Sequence, residues 1–155
     1  MGFNGVTVLF ERNKWKGKAV ITLTKEQRIA IVRYRMENAN NTLKEVESHI
    51  QNGFYNTAVN RMYYACYYAA SAILIAKGVE TKSHDGVRRM VGQELVLKGV
   101  IDAEYGRFYS QLFSKRESGD YEDFINHDLK TVESLFPIAR SFVAIIEDCV
   151  NRYLT

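Results

Sequence analysis

Apolar positions along the chain fall into two regimes. Within residues 1–23 they form two short runs rich in β-branched residues, Val6-Thr7-Val8-Leu9-Phe10 and Ala19-Val20-Ile21-Thr22-Leu23. The polar, basic stretch Arg12-Asn13-Lys14-Trp15-Lys16-Gly17-Lys18 separates them. This pattern predicts a β-hairpin or an extended arm. A lone two-stranded hairpin is marginal in water, so it must dock on the body of the chain, a second copy or a partner. From Leu23 onward the apolar spacing changes to three- and four-residue steps. Ile29, Val32, Met36, Leu43, Val46 and Ile50 make one stripe of a long helix. Thr24 and Gln27 form a capping box at its start, and Asn52-Gly53 ends it.

A second helix is expected over about 55–77, stopping at Gly78. Both of its faces are apolar or aromatic, so it is expected to be the central, most buried helix. Ala58, Ala65, Ala69, Ala72 and Ala76 let neighbours come close. Ser83 caps a third helix reaching about position 97, ahead of Gly99. Asp102 caps a fourth, with Tyr105, Phe108, Tyr109, Leu112 and Phe113 at helical spacing. Arg116-Glu117-Ser118-Gly119-Asp120-Tyr121 is read as the break after it. A fifth helix starts near Asn126 or Asp128 and runs to about Tyr153, kinked or split just before Pro137. The fold class is all-α, an up-and-down bundle of about five helices over residues 24–155, preceded by the short arm.

Composition narrows the class. A length of 155 residues suits one domain, and 46% hydrophobic residues supply a core. The formal charge of +3 is too small to argue for nucleic-acid binding by itself. No window approaches the roughly twenty apolar residues of a membrane span, and the start lacks a signal-peptide layout, so a cytoplasmic location is expected. Cys66 and Cys149 lie in apolar helical stretches and read as buried thiols rather than a disulfide. The three histidines and two cysteines show no ligand spacing, so no metal is expected, and no cofactor either. There is no glycine-rich phosphate loop, no Ser/His/Asp order and no nucleotidyltransferase signature.

Three pieces then occur in order. They are Tyr63-Tyr64-Ala65-Cys66-Tyr67-Tyr68-Ala69-Ala70-Ser71-Ala72-Ile73-Leu74, Lys82-Ser83-His84-Asp85-Gly86-Val87, and Arg116-Glu117-Ser118-Gly119-Asp120-Tyr121. Together they resemble a small stand-alone prokaryotic HEPN protein over roughly residues 24–153. The resemblance implies a four- or five-helix bundle that pairs into a homodimer. Many members of the superfamily are metal-independent RNases of toxin–antitoxin or defence systems, and a minimal nucleotidyltransferase is a common partner. Their RNase signature is an arginine, then four to six residues, then a histidine, two such pairs meeting in a cleft shared by two subunits.

Arg116 matches the arginine of that signature, but Tyr121, Glu122 and Asp123 stand where the histidine would be, and His127 is too far along. RNA cleavage through the 2′-hydroxyl needs a base, an acid and positive charge at the phosphate, which histidine and arginine supply. A tyrosine is a poor base at neutral pH. Arg116 therefore either binds phosphate or pairs with Asp120 or the helix end. His84, in the first turn of its helix, either contacts phosphate and stands in as acid or base, or is a surface residue beside the cap. Arg61 either pairs with a carboxylate across the bundle or points into a cleft near Arg116. Asp120 and Tyr121 either line that cleft or organise the turn. The tyrosine run packs the core and a dimer interface, or stacks on bases. Arg88-Arg89 either extends a phosphate-binding surface or lies on a solvated helix face. His49 and His127 read as helix-end residues.

The expectation is a HEPN-like domain that binds a nucleotide, RNA or a partner protein at a cleft of Arg61, His84, Arg116, Asp120 and Tyr121, without efficient catalysis. One alternative is a metal-independent RNase toxin of a HEPN/minimal-nucleotidyltransferase pair using His84. A second is a structural dimeric interaction module.

Overall fold

The computed structural model describes residues 9–12, 19–121 and 126–155, with side chains described over 22–117 and 126–155. β1 (Leu9–Arg12) pairs antiparallel with β2 (Ala19–Thr22), Leu9 opposite Thr22 and Arg12 opposite Ala19. Of the two forms expected for this segment, the hairpin is the one present. Residues 1–8 and the basic stretch 13–18 lie outside the described residues. The rest is all-α: α1 (Lys25–Gln51), α2 (Tyr55–Ala76), α3 (His84–Met90), α4 (Ala103–Tyr121) and α5 (Leu129–Leu154).

α2 is the hub. It packs against α1, α3, α4 and α5, as expected of a helix without a polar face. Ala65, Ala69, Ala70 and Ala72 are fully buried on it, so neighbouring helices approach with little between the backbones. Thr24 opens α1 with both hydrogen bonds of the capping box, Thr24 Oγ1 accepting from the Gln27 N–H and Gln27 Oε1 accepting from the Thr24 N–H. Three segments stop by one device. Gly53, Gly78 and Gly99 sit at φ of 75°, 76° and 71°. The residue after each donates its N–H back five residues, Phe54 to His49, Val79 to Leu74 and Val100 to Leu95. Only glycine adopts that backbone without strain.

The structure corrects three boundaries. Residues 116–121 do not break the fourth helix, because α4 continues through Tyr121. One glycine inside a helix costs only about 1 kcal/mol, which packing on α2 offsets. α5 is not split at Pro137, which lies inside one continuous helix. Leu135, Ala139 and Phe142 are buried on either side of the proline and hold both halves to the core. The third helix is not regular to position 97: after Met90 it widens into a π-helical segment, Val91–Val96, and Leu97 N–H donates to Gly92 C=O at 2.9 Å.

That segment crosses α4 at Gly106. A β-carbon built there would lie 2.6 Å from Val96 Cγ2. Gly106→Ala is expected to lower stability by about 1–2 kcal/mol, overpacking of about 1–3 kcal/mol being partly offset by alanine's better helix propensity. Urea denaturation reads this, and equal or higher stability would contradict the close crossing.

Candidate functional site

The side chains with chemistry converge on one tyrosine cluster of α2. Tyr63 is fully buried, while Tyr64, Tyr67 and Tyr68 are partly exposed. Three- and four-residue spacing stacks these rings along the helix: Tyr63 on Tyr67 at 6.1 Å, Tyr64 beside Tyr68 at 6.1 Å and edge-on to Tyr67 at 6.2 Å.

α3 brings His84 to this platform. Ser83 caps the helix by accepting the Gly86 N–H at 2.9 Å, which fixes His84 in the first turn. The imidazole stacks on Tyr67 at 4.4 Å, and its Nδ1 lies 2.8 Å from the Tyr63 hydroxyl. α4 brings Arg116. Its Cζ stands 5.3 Å from the centre of the Tyr63 ring and 5.5 Å from that of Tyr64, and Nη2 donates to the Tyr64 hydroxyl at 3.2 Å. Such cation–π seating contributes up to about 2 kcal/mol where water is excluded.

Arg61 reaches the same cluster from α2 itself. Its Nε pairs with Glu45 Oε2 across the bundle at 2.9 Å, and its Cζ lies 5.8 Å from the centre of the Tyr64 ring. Tyr64 is thus flanked by two guanidinium groups from different helices.

The electrostatics follow from this packing. Burial, and after it the Arg116 charge, hold His84 below its ordinary histidine value, so the ring is neutral at neutral pH. Burial pushes the Tyr63 phenol up to about 12, so it keeps its proton. Two tautomers fit the Tyr63–His84 contact. When the hydroxyl donates, Nδ1 accepts and Nε2 carries a hydrogen able to meet a phosphate oxygen. When Nδ1–H donates, Nε2 is a free base.

The remaining candidates stand elsewhere. Asp120 and Tyr121 are in the last turn of α4, and their side chains lie outside the described residues. Arg88 and Arg89 pair with Asp85 at 2.6 Å and 3.5 Å on the α3 face. His49 meets the edge of Phe54 at the end of α1. His127 precedes α5 rather than opening it: Asp128 is the cap, the His127 N–H donates to Asn56 Oδ1, and His127 Nε2 lies 3.3 Å from the Lys115 carbonyl. Cys66 and Cys149 are buried free thiols, and burial raises that of Cys66. Among the described residues no three His, Cys, Asp or Glu side chains gather as metal ligands, and no helix is long and apolar enough to cross a membrane.

Sequence reading missed the Tyr63 hydroxyl as the anchor of His84. The four-residue Tyr63/Tyr67 spacing was its only local signal, since it puts both rings on the face that α3 covers.

A family model for the HEPN domain matches residues 32–149. A "UPF0332 protein" of Thermotoga maritima is 32% identical over 121 residues, covering 78% of this chain and 92% of that protein. The Methanocaldococcus jannaschii protein named "Putative toxin MJ0605" is 35% identical over 119 residues, 77% of this chain and 88% of its own. "Putative toxin MJ0142" of the same organism is 29% identical over 100 residues, 64% and 68% of the two chains.

Proposed function

This chain belongs to the HEPN domain family, and from that premise we propose that it is a toxin-class member whose Arg116–His84 site binds single-stranded RNA. One observation carries the reading: α3 and α4 deliver a neutral histidine and a guanidinium onto the same partly exposed tyrosine platform. Single-stranded RNA presents phosphates, which arginine's planar fork matches, and unpaired bases, which aromatic rings stack. The toxin names of two relatives point the same way.

His84 favours a second reading, slow metal-independent cleavage. In the tautomer with Nδ1–H donating to Tyr63, Nε2 can take the proton of a 2′-hydroxyl as that oxygen attacks the phosphorus. Arg116 then neutralises the phosphate charge, and the leaving 5′-oxygen takes a proton from water. The signature histidine after Arg116 is absent, so no second imidazole is placed at signature spacing to serve as the acid.

Fluorescence anisotropy with a labelled single-stranded oligoribonucleotide tests binding, and absence of binding at micromolar protein contradicts the proposal. Long incubation of the same RNA tests cleavage. The second reading expects slow loss with wild-type protein and intact RNA with His84→Ala. RNA left intact by both rejects cleavage alone.

A further inference from the structure

A different recess, of about 450 Å³, lies between the N-terminal half of α1, the end of α2 and the loop before α3. That volume is in the range of small-ligand sites. Arg28 and Arg35 stand in its wall, two turns apart on the α1 stripe that also carries buried Val32. Both are half-buried. Gly78 lets Arg28 lie against the turn, since a β-carbon there would meet Arg28 Nη1 at 3.0 Å. Lys82 adds a third cation, and Glu80 is the only carboxylate among the described lining residues. Among the described residues no ion pair joins Arg28, Arg35 or Lys82 to a carboxylate. Ser71, 5% exposed, also lines the recess, and its buried hydroxyl has no hydrogen-bond partner among the described residues.

Half-buried guanidinium groups and an unsatisfied buried hydroxyl are each unfavourable alone. One occupant relieves both: an anion with several oxygens, which arginine forks clasp and a serine hydroxyl can meet. We propose that this recess is a second phosphate-binding site, distinct from Arg116, taking the phosphates of a nucleotide. It adjoins the first site through Tyr67, which lines the recess and stacks on His84. The phosphate can belong to a free nucleotide or to a strand continuing from Arg116. The assignment stands on the recess itself and survives failure of the RNA reading.

Calorimetric titration of the full chain with pyrophosphate tests it. Wild-type protein and Arg33→Ala, an exposed arginine of α1 outside the lining, are expected to bind alike. Arg35→Ala and the exposed-loop variant Lys82→Ala are expected to weaken binding about tenfold. Glu80→Gln is expected to tighten it severalfold, a gain that misfolding cannot produce. Failure of wild-type protein to bind, an equal loss in Arg33→Ala, or affinity indifferent to all three pocket variants would overturn the assignment. RNA binding by the pocket variants separates the sources: weaker binding of a short RNA by Arg35→Ala assigns the site to the strand, and unchanged RNA binding assigns it to a free nucleotide.

Discussion

Arg116→Ala is expected to weaken binding of a short single-stranded RNA by ten- to a hundredfold. The lost interaction is a charge-assisted hydrogen bond to phosphate, about 1.5–3 kcal/mol, and each 1.4 kcal/mol is a factor of ten. The salt dependence should change with it, because one phosphate contact on a single strand contributes about 0.7 to the slope of log affinity against log salt. Arg116→Lys keeps the charge and loses the fork, so its affinity should fall between the two while its slope stays near wild type. The tyrosines that seat the guanidinium belong to the core, so thermal melting of each variant is needed alongside. An Arg116→Ala protein that melts normally and binds within twofold of wild type would contradict the assignment of this arginine.

Tyr109→Ala is expected to lower folding stability by about 3–5 kcal/mol, the range for deleting a large buried ring. Tyr109 is fully buried and lies between two other aromatic residues, 6.0 Å from Tyr63 on α2 and 5.7 Å from Phe142 on α5. It therefore ties α4 to both neighbours. It also stands seven residues before Arg116, two turns along the same face. Loss of the ring should disturb the seating of Arg116 as well as the core. Urea denaturation reads the stability, and RNA affinity under folding conditions reads the seating. A loss below about 1 kcal/mol would mean that α4 is held by something other than this aromatic stack.

Periodicity made the helices legible, and the reading failed where packing overrides local preference. The stripe from Val32 to Val46 and the capping box at Thr24 marked α1 with no tertiary information. The alanines and tyrosines of α2 marked the hub. Ser118, Gly119 and Asp120 read as a turn because each disfavours helix interiors, yet α4 runs through them. Pro137 removes one backbone hydrogen bond, and the buried residues around it carry α5 across the gap.

The site was half legible. Arg116 and His84 were singled out by their motifs, but their meeting depends on α3 and α4 both packing beside Tyr63. No spacing within a 32-residue separation encodes that. Arg28 and Arg35 gave no signal at all. On a helix stripe, two arginines read as solvated charges until the turn at Gly78 closes against Arg28.

The central claim is that Arg116 and His84 form one site that takes a phosphate. Its most direct test is an NMR pH titration of the His84 ring, with and without a saturating single-stranded oligoribonucleotide. In the free protein the midpoint should lie below the ordinary histidine value of about 6.5, because burial and the Arg116 charge both oppose protonation. A bound phosphate brings negative charge to both groups, so the midpoint should rise on the RNA complex. A His84 midpoint that stays put when the protein is saturated with RNA would contradict the account.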